Sequence, residues 1–255
     1  MKETPSIGMN RTGVQMSPFD IDDMTQASSS AATPSPAGDA SAMAALRSSY
    51  INEADPLGTV PVPGTVKGML KSGASMMTGH APQLLLDKLG ERLAFERTGA
   101  RLYDALITKV AALEQEGTMT IPGERLLHIR EEEVRHAAMV ADAIRTLGGD
   151  PTSMTPCADV VGVESMGLLQ VVTDARTSVA QSLHAILVAE MTDNHGWEGL
   201  ITLAEAQNHD QMAADFRAAL EAERSHLQQV ETWFNEATLG SAAETEAGTS
   251  QPSVH

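Results

Sequence analysis

The chain has 255 residues, of which 42% are hydrophobic, 20% charged and 3% aromatic; 34 acidic against 17 basic residues give a formal net charge of -17, and Cys157 is the single cysteine. A lone cysteine excludes an intrachain disulfide, a CxxC redox pair and a thiolate cage for zinc or iron–sulfur clusters, which leaves carboxylate and imidazole as metal-ligand chemistry. The acidic field repels phosphate backbones and anionic lipid and attracts cations, so neither nucleic acid nor a membrane is expected as a partner.

The opening MKETPSIGMNRTG lacks the apolar stretch of a secretory leader, and no run approaches the roughly 20 apolar residues of a membrane span, so a cytoplasmic protein is expected. Residues 1–55, as in ASSSAATPSPAGDASA, are too poor in large apolar groups to offset chain entropy and are expected to form a disordered tail. In residues 56–81 prolines and glycines forbid a long helix, but Val, Leu and Met can lie along a preformed surface as an extended strap. From residue 82 the apolar period is near 3.6. The first predicted helix runs from Pro82 to about Gln115, where EGTMTIPG breaks it, and the second from near Pro122 to Leu147, stopped by GGDP. A proline-bearing linker holding Cys157 extends to about Gly162. The third helical region, Glu164 to Gln207, divides near Thr177 into a short lead-in and a main helix. Asn208 marks a tight turn before the fourth helix, His209 to about Ala237, and residues 238–255 read as a second disordered tail. The long second connection lets the third helix cross over, which predicts an all-α four-helix bundle over residues 82–237.

Each long helix carries one glutamate on its apolar stripe. The first has Leu85, Leu89, Leu93, Glu96, Ala100 and Tyr103; the second Leu126, Ile129, Glu133, His136 and Val140; the third Leu183, Ile186, Glu190 and Trp197; the fourth Phe216, Leu220, Glu223, His226 and Val230. Glu91, Glu131 and Glu132 point off these stripes and read as solvated charges, and Arg and Lys lie mostly off them too. An unpartnered buried carboxylate costs several kcal/mol, and four together repel one another. Two divalent ions neutralise four glutamates and give their oxygens a ligand role. Glu133-Val-Arg-His136 and Glu223-Arg-Ser-His226 are both Glu-x-x-His, which sets a carboxylate and an imidazole one turn apart on one face. Ligands at equal height in an antiparallel pair lie symmetrically about the turn. The midpoint of 190 and 223 falls at 206.5, beside Asn208. That of 96 and 133, at 114.5, misses the centre of the break by about 5 Å at 1.5 Å per residue.

Over residues 82–237 the chain resembles the ferritin-like superfamily of carboxylate-bridged di-iron proteins, including bacterioferritin and the rubrerythrin di-iron domain. The residues that carry the resemblance are Glu96 with Tyr103 seven residues on, the pairs Glu133/His136 and Glu223/His226, and Glu190. The resemblance implies a long crossover between the second and third helices and two iron ions per chain, with Mn or Zn as other occupants. It implies that Glu133 and Glu190, or another pair, bridge the ions, that Glu96 and its counterpart are terminal, and that His136 and His226 cap one ion each. Val134 stands where a haem-binding bacterioferritin has methionine, so no haem is expected, and without a CxxC pair the rubredoxin-type electron-transfer module is missing.

Fe(II), O2 or peroxide, and further copies of the chain are the expected partners. Ferroxidase chemistry is the first expectation; oxidation of a small organic molecule through a channel lined by Ala94, Ala100 and Ala137, or a non-catalytic metal-binding or assembly module, are the others. Tyr103 is expected beside a ligand carboxylate, as support or as an electron donor. Asp193 reads as a solvated charge rather than a further ligand, Trp197 as core, and Cys157 as an idle thiol. His195 and His128 lie about 140° round from Glu190 and Glu133 and are expected at the surface.

Overall fold

The computed structural model describes residues 18–30, 40–61, 82–113 and 121–249. Among these the regular structure is helical throughout: α1 Pro18–Ser30, α2 Ser41–Glu53, α3 Pro82–Leu113, α4 Gly123–Thr146, α5 Pro156–Thr173, α6 Val179–Ala206 and α7 Asp210–Thr249. No described helix is long and apolar enough to cross a membrane. The chain separates into two units, one from Pro5 to Pro56 and the other taking in the chain from Leu57 onward.

In the first unit, α1 and α2 correct the expectation that residues 1–55 lack structure. The entropic argument concerned burial, and on burial it holds: α2 buries no residue, and Met43, Leu46, Tyr50 and Ile51 are exposed. The backbone is helical nonetheless, because the Ala, Leu, Met and Arg of SAMAALRSSYINE favour helix locally.

In the second unit most of the expected strap lies outside the described residues; residues 57–61 have no helix, and Val60 packs against the apolar interior. The helix ends follow local chemistry. Gly148, at φ 89°, closes α4, with Gly149 N–H donating to the Ile144 carbonyl and Gly148 N–H to that of Arg145. Asn208, at φ 61°, does the same for α6: His209 N–H reaches the Ala204 carbonyl and Asn208 N–H that of Glu205. Both are left-handed caps that satisfy carbonyls the helix leaves open. Ser178 and Gln181 cap α6 reciprocally, at 3.1 and 2.9 Å.

Two boundaries differ from the predicted ones. The later part of the linker expected to reach Gly162 is helix α5, which starts at Pro156 with the Thr155 hydroxyl accepting from Ala158 N–H; Thr-Pro is an N-cap followed by a proline at the first helical position. α7 runs past Ala237 to Thr249, so residues 238–249 are helical rather than tail. That stretch is mostly Ala, Glu and Thr without proline, and its two glycines each cost only about 1 kcal/mol in a helix.

α3 packs on α4, α5 and α6, α6 also on α5 and α7, and α7 also on α4, over the shortest stretch of these pairings. Asp104–Arg130 at 2.9 Å and Glu96–His136 at 3.7 Å tie α3 to α4, and Glu198–Arg224 at 3.4 Å and Glu205–Arg217 tie α6 to α7; in each pairing one residue number rises as the other falls, so each hairpin is antiparallel. The interior has two apolar clusters. One gathers Leu85, Leu89, Leu93, Val140, Trp197 and Phe216, the other Leu102, Leu106, Leu126, Ile129, Ile186 and Val230. On every long helix of this unit the inward glutamate lies between the two.

Candidate metal centre

The six residues picked out by spacing meet in that intervening layer. Glu96, Glu133, His136, Glu190, Glu223 and His226 are all buried, none more than 5% exposed. One donor atom from each of Glu133, Glu190, Glu223 and His226 lies within 4.8 Å of the others, and the same holds for Glu96, His136 and Glu223. Glu223 belongs to both groups, so its two oxygens face two positions. His136 Nδ1 is 2.5 Å from Glu223 Oε1 and 3.7 Å from Glu96 Oε2; His226 Nδ1 is 3.0 Å from Glu223 Oε2 and 3.6 Å from Glu133 Oε1. The offset of Glu96 against Glu133 is absorbed because Glu96 is level with His136, one turn further along α4, while Gly99 faces Glu133. A Cβ at Gly99 would collide with the Glu133 carboxylate, so that glycine makes room for it.

The electrostatics match a site short of cations. Burial, then the Glu133 and Glu223 charges, raise Glu96 well above the carboxylate range; burial, then Glu223 and Glu133, do the same to Glu190. Glu133 rises to about 7 through burial and Glu223. Burial pushes against the charged forms of Glu223 and His226, yet their mutual hydrogen bonding, with His136 and Glu133 assisting, holds Glu223 at about 2 and His226 at about 11. Glu96 Oε2, His136 Nδ1, Glu190 Oε2 and Glu223 Oε1 are buried without a hydrogen bond. Orphaned acceptors and an imidazole nitrogen converging on one space fit divalent cations, the hard or borderline ions that oxygen and nitrogen ligands suit.

Around these six stand groups the spacing argument misplaced. Asp193, expected in solvent, is buried and paired with Arg92, itself 3% exposed. The same guanidinium lies 3.4 Å from Glu96 Oε1 and 4.9 Å from the Phe95 ring centre. Both fall within about 60° of the glutamate on their own helix, so the stripe carried the signal. Glu132, also expected in solvent, is hydrogen-bonded to His226 Nε2 at 2.8 Å. It lies about 100° off the α4 stripe, and only the position of α7 explains its reach. Tyr103 O–H donates to Glu190 Oε1. Trp197 is core, edge-on to His136 at 5.7 Å between ring centres. His128 and His195 are exposed. Cys157 sits in the first turn of α5, its thiol pushed up to about 11 by burial and the nearby Asp87.

A small cavity of about 10 Å³ adjoins Glu133 and Glu190, lined by Phe95, Gly99, Leu102, Tyr103, Ile186 and Ala189 among others. Ala94, Ala100 and Ala137, expected along a channel, do not line it; Ala94 borders a separate groove on α3. No family model, curated protein or solved structure matches this chain.

Proposed function

We propose that this chain is a ferritin-like di-iron protein in which α3, α4, α6 and α7 form the four-helix bundle and α5 belongs to the crossover, and that it binds two iron ions and reacts them with O2 or peroxide. The observation that carries the proposal is the buried set of four glutamates and two histidines in which Glu223 is common to both ligand groups. Glu96 and His136 would hold one ion, Glu133, Glu190 and His226 the other, and Glu223 would join them.

The chain's own groups supply geometry, charge and dryness. Glu132 accepts the Nε2 proton of His226, which fixes the tautomer and leaves Nδ1 facing the ligand space; such carboxylate support is usual for metal-binding histidines. Tyr103 holds Glu190 by its hydroxyl. The apolar clusters on either side keep water out, which strengthens every electrostatic contact between them. An iron pair supplies the electrons for reducing the oxidant. In the ferroxidase form Fe(II) is the substrate: two ions lose one electron each, and O2 takes two electrons and two protons.

The size of the cavity favours this over oxidation of an organic molecule. Ligand pockets commonly span about 300–1,000 Å³, and the space beside Glu133 and Glu190 is about 10 Å³, room for about one water. The test is anaerobic Fe(II) addition followed by air. A near-ultraviolet ferric band with O2 uptake is expected; two bound ions without either would leave a non-catalytic metal-binding module, and no bound metal would end the proposal.

A further inference from the structure

The two ligand groups are unequal. One position has four protein ligands, three of them carboxylates, and Glu132 behind His226; the other has three, Glu96, His136 and the shared Glu223. Among the described residues only the three-ligand position has an arginine beside it, the Arg92 guanidinium lying 3.4 Å from Glu96 Oε1. The guanidinium is fixed from several sides. Asp193 pairs with it and its carbonyl accepts at 3.4 Å, the rings of Phe95 and Trp197 flank it at 4.9 and 5.7 Å, and Gly196 leaves the space it fills, since a Cβ there would collide with it.

Resting on the di-metal reading above, we propose that Arg92 competes with the incoming ion for Glu96, so that the two positions fill in order: the Glu133/Glu190/Glu223/His226 position first and tightly, the Glu96/His136/Glu223 position second and weakly. Asp193 tunes the competition by drawing the guanidinium toward α6. Arg92 is thus a positioning residue that makes one of the two ions exchangeable, as an ion that is substrate must be, while the other is retained.

The test is anaerobic titration of the metal-free full chain with Co(II), read by calorimetry and by the visible absorption of the bound ion. Two steps are expected in the wild type, the second weaker by at least about tenfold, or 1.4 kcal/mol. In Arg92→Leu with Asp193→Leu, which removes the pair without orphaning either charge, the second step should tighten by about tenfold and the first stay unchanged. Should that variant lose its helical circular dichroism, Arg92→Met with Asp193→Asn carries the same comparison. Arg92→Lys keeps the charge and should keep the order. Two equal steps in the wild type, or a second step unmoved by removing the pair, overturn the ordering while sparing the di-metal reading. Absence of any Co(II) binding overturns both.

Discussion

Glu223 hydrogen-bonds His226 and approaches His136, and no other residue of the cluster faces both ligand groups. Substituting it should therefore cost more than substituting a residue confined to one position. Glu223→Ala is expected to bring metal below about half an equivalent per chain, and Glu96→Ala to leave about one, by elemental analysis of natively purified protein; a carboxylate ligand has no replacement in a dry interior. The six inward residues were legible because burying a carboxylate is expensive enough to leave a trace in helical periodicity. Glu132 was not, because the pattern of one helix describes its own faces, and the partner of Glu132 comes from another. Arg92 and Asp193 were legible in angle, but their pairing depends on the approach of α3 to α6.

Among the helices, glycine marks where a neighbour's side chain intrudes. Gly99 sits mid-helix in α3, where replacement by alanine ordinarily gains about 1 kcal/mol, yet a Cβ there would meet the Glu133 carboxylate. Gly99→Ala should thus lower metal stoichiometry while leaving the helical circular dichroism intact, whereas alanine at exposed Gly199, with open space around it, should leave metal content unchanged. The capping box of α6 gives a control of the opposite kind: Ser178→Ala should reduce stability by about 1 kcal/mol in chemical denaturation without altering metal content. Sequence located the α4 and α6 ends to within a residue or two because Gly148 and Asn208 are dictated by left-handed backbone. It misplaced the end of α7, where no residue forbids the helix from continuing.

For the whole molecule, the ionisable layer ties folding to pH. Glu96, Glu133, Glu190 and His226 hold protons more tightly in the fold than in the unfolded chain, so the folded state binds more protons above the ordinary carboxylate range. Stability then falls as pH rises; the depressed Glu223 acts oppositely, but only in acid, as pH falls toward about 2. Metal-free protein is expected to melt several degrees lower at about pH 8.5 than at about pH 6, and metal-loaded protein to lose that trend, because ligation displaces the protons. Scanning calorimetry of both forms at the two pH values checks it. The same layer also decides how the helices cohere. α4 and α7 meet over only a short stretch, and in this layer Glu132 and Glu133 meet His226 while His136 meets Glu223. An ion bound to Glu223 would act there as a rivet, and chelation should release it: amide hydrogens of α4 and α7 around residues 129–137 and 219–230 should exchange faster, with the α6–α7 turn unaffected. If the cluster holds iron as proposed, it would also be the clasp between the two hairpins, and iron supply would set how firmly the molecule is closed.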